Sequence, residues 1–320
     1  LSRLSRLEIT ELNDTQKELE ETLAKLKNII DNESVRYDMI KKDLDEMKKI
    51  IGKDERLTEI HYAKPIEGVT TDKPLIREEF RIYSDGLHNS IGLNPVDNNL
   101  VDVVFSYSAK NIMGYTESGE MRPITELGAP IIGGFVKENQ AKFITVTAKG
   151  NIKVSPVSEY KWTKVDEKMM KLKDGDKVVF AACCDDDDYL MLFNGDRNVL
   201  KLAIKDLTTA SKLTVGVKSG FASIAAAALV KDSDNLLFVT KDNKGKLTPV
   251  KDFSVDSRGN KGQMIAENTL VMRKFDAARE SIYVIPKVGK PVIVDRNKIS
   301  IKSRTAVGAS LTTRAVTTII

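Results

Sequence analysis

Apolar runs return along this chain at a nearly constant spacing. A run of apolar or aromatic residues, a polar turn usually carrying Gly, and a second short run begin near Val103, Phe143, Tyr189, Leu236 and Ile282. The intervals are about 40, 46, 47 and 46 residues. Phe143–Thr147 leads through Ala148-Lys149-Gly150-Asn151 into Ile152-Lys153-Val154, and Leu237–Thr240 leads through Asp242-Asn243-Lys244-Gly245 into Lys246-Leu247. Both read as hairpins. Ile282–Ile285 repeats the idea, with Pro286 and Gly289 in its turn, and Phe80–Tyr83 followed by Asp85-Gly86 is an earlier short strand. Strand–turn–strand content with a fixed period of roughly 40–50 residues predicts blades set around an axis. Five hairpin anchors predict about five blades. Such a shape offers a curved outer surface for binding rather than one deep pocket for chemistry.

The first 51 residues follow a different period. Leu12, Leu19 and Leu26 stand seven apart, with Leu23 and Ile30 interleaved, and Glu and Lys fill the other faces. This is a coiled-coil stripe. Asp31-Asn32-Glu33-Ser34 interrupts it, with Ser34 placed to cap a second helix whose face carries Ile40, Leu44, Met47 and Ile51. Gly52 is positioned as its C-cap. Two short amphipathic helices need partners for their stripes. Pro65, Gly68 and Pro74 then mark a linker. The expected organisation is a helical segment over 1–52, a linker over 53–76 and a mainly β domain over 77–320.

Composition narrows the class. Charged residues make up 30% of the 320 and hydrophobic ones 41%, which excludes a membrane-embedded chain. The net charge of +4 is mild, but acidic residues crowd the first 60 positions and positive charge gathers beyond Lys142. A basic domain behind an acidic helix suits a polyanionic partner. The two cysteines are neighbours, Cys183 and Cys184, which suits reduced strand residues and a cytoplasmic setting. The chain does not begin with Met, so an upstream part is expected.

Later repeats carry a second element in one phase: Ser211-Lys212-Leu213-Thr214-Val215-Gly216-Val217, Ser257-Arg258-Gly259-Asn260-Lys261-Gly262-Gln263 and Ser303-Arg304-Thr305-Ala306-Val307-Gly308-Ala309. Such a segment can place backbone N–H groups and a cation at a blade edge, as phosphate contact requires.

The order of coiled-coil helices, then Gly52-Lys53-Asp54-Glu55-Arg56-Leu57-Thr58-Glu59-Ile60, then hairpin repeats with S-R-x-x-x-G segments resembles the C-terminal half of the A subunit of type IIA DNA topoisomerases, the gyrase and topoisomerase IV family. Arg3-Leu4-Ser5-Arg6-Leu7-Glu8 is similar to the end of the long arm where two A subunits meet. The resemblance implies a β-pinwheel, a propeller-like disc that binds and bends double-stranded DNA on its rim. It implies a homodimer contact at Leu1, Leu4 and Leu7, and a B subunit that brings ATP and Mg²⁺. The gyrase-defining Gln-Arg-Arg-Gly-Gly-Lys-Gly-type box is replaced by Glu126-Leu127-Gly128-Ala129-Pro130-Ile131-Ile132-Gly133-Gly134, which has glycines and no cation. Its loss points to a topoisomerase IV-like or phage-type enzyme that relaxes and unlinks DNA, acting in the cytoplasm at the nucleoid. A rim that tracks DNA needs spaced cations. The candidates are Lys149, Lys153, Lys212, Lys218, Arg258, Lys261, Arg273, Lys274 and Arg304.

Catalytic chemistry is expected elsewhere. The family's cutting tyrosine lies upstream of the arm, so Arg36-Tyr37 reads as an ordinary helix dipeptide. Asp185–Asp188 reads as a solvated loop rather than a metal site, and His61 and His88 without a Cys cluster give no zinc set. There is no P-loop. The competing reading is a protein-binding propeller scaffold. It lacks the Trp-Asp repeat signature here, with Trp162 the one tryptophan.

Overall fold

A computed structural model describes residues 2–51, 77–92, 96–124, 130–314 and 316–320 of the chain, with helix side chains over 11–49. The chain divides into two compact units, Leu1–Thr71 and Asp72–Ile320.

The first unit contains two helices, α1 (Ser2–Asp31) and α2 (Glu33–Ile51). The break falls at Asn32, so Ser34 sits inside the first turn of α2 rather than capping it. Arg36 explains the tight junction. Its guanidinium donates back to the carbonyl of Ile29 at 3.0 Å and to that of Ile30, satisfying carbonyls at the end of α1. Leu12, Leu19, Leu23, Leu26 and Ile30 of α1, and Ile40, Leu44 and Met47 of α2, are exposed within the single chain. The anticipated linker and the expected cap Gly52 lie outside the described residues.

The second unit holds six antiparallel sheets, one more than the anchors suggested. Each is built on a hairpin: Glu78–Ser84 with Asn89–Gly92, Ile112–Tyr115 with Glu120–Pro123, Lys142–Thr147 with Asn151–Pro156, Tyr189–Phe193 with Asn198–Ala203, Asn235–Thr240 with Lys244–Pro249, and Ser281–Pro286 with Val292–Asp295. We number these blades 1 to 6. A third strand flanks the first strand of each hairpin on the inside: Leu100–Ser106, Gly133–Val136, Val178–Cys184, Ala226–Val230, Thr269–Phe275 and Val316–Ile319. The hairpins start 34 and 30 residues apart at first and settle at 47, 46 and 46 only from blade 3 onward. That irregularity hid a blade. Val103, expected as a hairpin anchor, lies on the innermost strand of blade 1.

Blades 2 to 5 carry a fourth, outermost strand donated by the next repeat. Glu167–Lys168 joins blade 2, Val217–Lys218 blade 3, Gln263–Met264 blade 4 and Ala309–Ser310 blade 5. After each of the last four hairpins the chain therefore crosses back to the preceding blade before returning to supply its own innermost strand.

The cores lie between blades. Six apolar clusters occur among the described residues, each spanning two successive sheets. Ile144, Val146, Ile152 and Val154 of blade 3 meet Leu190, Leu192, Leu200 and Leu202 of blade 4. Because both faces of a blade are covered, middle strands read as unbroken apolar runs; Leu190 to Phe193 are all fully buried. Each such side chain contributes about 1.5–3 kcal/mol of transfer free energy. The last cluster joins blade 6 to blade 1 through Tyr83, Leu100, Tyr283, Ile285 and Ile320, and so closes the ring. There the Tyr283 hydroxyl donates to Glu79 at 2.7 Å and accepts from Arg81 at 2.9 Å.

Candidate nucleic-acid interface

The outer edge strands decide what the rim presents. Ser211–Val217, Ser257–Gln263 and Ser303–Ala309 all run along the outer edge of the blade before their own, in equivalent positions. Gly216, Gly262 and Gly308 recur every 46 residues, and each approaches the backbone of the hairpin it crosses. A Cβ on them would lie 2.3 Å from the Ile152 carbonyl oxygen, 2.7 Å from that of Val199 and 2.2 Å from that of Gly245. Nothing larger than hydrogen fits. Successive segments are also bonded to one another. Gly259 N–H donates to the Ser219 carbonyl at 2.8 Å, and Ala266 N–H to the Arg304 carbonyl at 3.0 Å. The result is a continuous backbone belt around blades 3 to 5.

Three lysines brace this region from inside, Lys153 and Lys246 by bonding the belt itself and Lys201 by bonding the turn at Val250 and Phe253 that leads into it. Lys153, Lys201 and Lys246 sit on the second strands of blades 3, 4 and 5, and are only 1%, 2% and 2% exposed. The Lys153 ammonium donates to the Lys212 carbonyl at 2.7 Å, to the Met169 carbonyl and to the Tyr160 hydroxyl at 3.1 Å. Lys201 donates to the carbonyls of Val250 and Phe253 at 3.3 and 3.2 Å and to Asp232. Lys246 donates to the Ser303 carbonyl at 2.7 Å and to that of Arg304. Each also lies over an aromatic ring, Lys201 at 4.3 Å from the centre of Tyr189. Burial pushes Lys153 down to about 7, with Glu159 opposing and Lys212 adding to the fall, and Lys246 down to about 8. Sequence reading missed Lys201 and Lys246, although their spacing of 48 and 45 residues from Lys153 onward follows the repeat.

This geometry sorts the nine candidate cations. Lys149, Lys218, Arg258 and Lys261 are exposed at the belt or the adjoining hairpin turn. Lys149 and Lys218 stand together, the Lys218 ammonium donating to the Lys149 carbonyl. Arg304 lies on the belt over the ring of Phe253 at 5.6 Å and donates to Gln263. Four expectations need correction. Lys153 is interior, because its strand turns that side chain inward under the belt. Lys212 is half-buried and paired with Glu167. Burial pushes the Glu167 carboxyl up, but hydrogen bonds from Lys212, Lys164 and the Lys161 amide together hold it below the usual range. Arg273 and Lys274 lie on the innermost strand of blade 5, far from the outer edge in sheet order, and are paired with Asp102 at 3.1 Å and Asp234 at 3.0 Å. Leu1, and the side chains of Leu4 and Leu7, lie outside the described residues.

Hairpin turns place exposed Lys149, Lys241, Lys287 and Lys290 at one end, with exposed Asp85, Glu117, Asp196 and Asp242 in the same set of turns. The turns linking one blade to the next place Asp185–Asp188, Asp232, Asp234 and Asp276 at the other. Asp185, Asp187 and Asp188 approach one another closely enough for a cation. Their carboxylates are instead engaged locally: Lys231 bonds Asp187 at 2.6 Å, Asp188 accepts from the Asp185 amide at 2.8 Å, and Asp185 accepts from the Ala141 amide at 3.3 Å. Cys183 and Cys184 are buried free thiols, and burial pushes Cys183 up to about 12 and Cys184 higher. No helix among the described residues is long and apolar enough to cross a membrane.

Comparison with known proteins agrees with this architecture. The family described as DNA gyrase C-terminal domain, beta-propeller, matches residues 141–185 and 234–271, which carry the hairpins of blades 3 and 5 and the edge strands donated to blades 2 and 4. The DNA gyrase A protein of Staphylococcus epidermidis is 23% identical over 369 residues, covering 97% of this chain and 41% of that protein. Its counterpart from Ureaplasma parvum is 22% identical over 365 residues, covering 97% of this chain and 43% of that protein. The chain thus spans about two fifths of the length of these curated relatives. Among solved structures, the C-terminal domain of DNA topoisomerase IV superposes with a TM-score of 0.58 at 16% identity, over 76% of this chain and 93% of that one. The DNA gyrase A C-terminal domain gives 0.52 at 17% identity, over 62% and 82%.

Proposed function

We propose that this chain, a relative of the C-terminal part of the gyrase A proteins, binds duplex DNA along the belt of blades 3 to 5 and bends it. The observation that carries the reading is the belt: exposed Lys149, Lys218, Arg258, Lys261 and the ring-seated Arg304 are spaced along one bonded strip of backbone. A convex strip of cations and amides matches a curved sugar–phosphate backbone without reading bases. Smooth bending of a site by tens of degrees costs about 1–6 kcal/mol, which a handful of phosphate contacts offsets. The run Asp185–Asp188 would repel a duplex locally.

In this reading the bent segment is presented for strand passage by a larger type IIA topoisomerase. The cutting tyrosine belongs to an upstream part of the same protein, and a B subunit supplies ATP hydrolysis and Mg²⁺. The exposed stripes of α1 and α2 serve a second copy of the chain. The enzyme works in the cytoplasm, and without the gyrase box it relaxes and unlinks rather than supercoils.

The test is binding of the full chain to linear duplex DNA across a salt series. Five phosphate contacts give a log–log slope of about −4.5, with no sequence preference. Reversing Arg258, Lys261 and Arg304 to Glu together abolishes binding. A slope near zero favours a protein-binding scaffold and sinks the DNA reading.

A further inference from the structure

The six innermost strands surround an axial channel of about 510 Å³. It lies apart from the cations of the rim. Its walls mix apolar side chains, with Ala226 to Ala228 on one side, and charged ones. Charges enter the channel wall, and most come with their own counter-charge. Arg77 pairs with Glu138 at 3.1 Å, Arg273 with Asp102 at 3.1 Å, and Lys274 with Asp234 at 3.0 Å. Nearby Arg81 pairs with Glu79 at 2.8 Å.

Arg279 is the exception. It stands in the turn between the innermost strand of blade 5 and the hairpin of blade 6, lines the channel, and is only 6% exposed. Its Nε and Nη2 are buried and donate to no acceptor among the described residues. Glu79 and Asp102 act on it through space, but each already bonds another arginine. The Tyr283 ring lies 5.6 Å from its guanidinium carbon, which braces the group without satisfying its N–H bonds. Arginine does not shed its proton at any ordinary pH. A buried cation without hydrogen-bond partners is strongly unfavourable unless an anion joins it. The two unsatisfied nitrogens are also informative. Nε and Nη2 form one edge of the guanidinium, with two parallel N–H bonds. That edge matches two oxygens of a single tetrahedral oxyanion. Thr317 and Thr318 line the same channel.

We infer that the channel mouth at Arg279 binds a small free oxyanion of the phosphate or sulfate class. The site is separate from the rim and does not depend on DNA binding there. A duplex is far too wide to enter between six inner strands, so the ligand is a small anion.

Thermal unfolding of the full chain tests this, with inorganic phosphate or sulfate titrated against chloride at matched ionic strength. The wild-type chain gains a saturable Tm increase, about 5–10 °C at a hundredfold excess over the dissociation constant. Arg279→Met loses that increase. In anion-poor buffer the same variant unfolds at or above the wild-type temperature, because a buried charge lacking hydrogen-bond partners has been removed. Arg279→Lys keeps the charge without the fork and binds phosphate at least about tenfold more weakly. Calorimetric titration of the wild-type chain with phosphate gives the result independently of how the variants fold. A wild-type chain that responds only to ionic strength and gives no saturable heat with phosphate overturns the inference. So does an Arg279→Met variant that retains the full shift.

Discussion

Lys153 holds a position that composition alone would place on the surface. It is interior because the second strand of blade 3 is covered by the crossing segment, where two carbonyls and a hydroxyl replace water around its ammonium. The consequence is a pH dependence. The folded-state value is near 7, against an unfolded value of about 10.5. The folded chain therefore binds fewer protons than the unfolded chain between those limits. Stability from this group is fully present above about pH 10.5 and is lost as pH falls toward 7. Relative to Lys153→Met, the wild-type chain should gain Tm steadily from pH 7 to pH 10. A difference between the two that stays flat over this range contradicts the assignment. Gly308 makes a second residue-scale case. Its missing Cβ would stand 2.2 Å from the Gly245 oxygen, so Gly308→Ala should cost about 1–3 kcal/mol through forced displacement. Hydrogen exchange should rise at Ala309, Ser310 and Lys244, the residues of that edge pairing, while blade 3 keeps its protection.

The individual elements explain what sequence could and could not reveal. Hairpins at Lys142–Pro156, Asn235–Pro249 and Ser281–Asp295 were legible because polar, Gly-bearing turns separate apolar runs. Edge strands were legible as a recurring S-x-x-x-x-G segment, although their donation to the preceding blade was not. That exchange is a long-range pairing with no local signal. The hairpin of blade 2 escaped the count because the interval between hairpins shrinks there, while that of blade 1 was visible as the early strand Phe80–Tyr83 but its anchor was set at Val103. Only 9 residues separate Pro123 from the innermost strand at Gly133, against 21 between Pro156 and Val178, so no segment crosses from repeat 2 to the edge of blade 1. Arg273 and Lys274 were misassigned for a related reason: alternation along a strand is visible in sequence, but whether that strand lies at the hub or the rim is not. The two helices carry their own prediction. Exposed leucines on α1 and α2 imply a partner, and the resemblance of the first residues to the end of the arm puts Leu4 and Leu7 in that contact. Charged substitutions at both should weaken self-association of the chain. An unchanged mass by light scattering counts against a role in the dimer.

At the scale of the whole β unit, the molecule is a closed ring whose strength lies between blades and whose chemistry lies at its margins. Closure between blade 6 and blade 1 uses side chains, with Tyr283 bridging Glu79 and Arg81. A ring of six wedge-like sheets resists flattening, so its edge holds one curvature. This rigidity is what would allow surface cations, individually weak, to bend a stiff polymer together. The central claim is therefore mechanical as well as electrostatic. It is tested most directly by energy transfer between dyes on the two ends of a duplex long enough to follow the belt of blades 3 to 5. Saturating wild-type chain should bring the ends together and raise transfer, and the Arg258→Glu, Lys261→Glu, Arg304→Glu triple variant should leave transfer at the level of free DNA. Tight binding with no change in transfer, or equal transfer with the triple variant, contradicts the account.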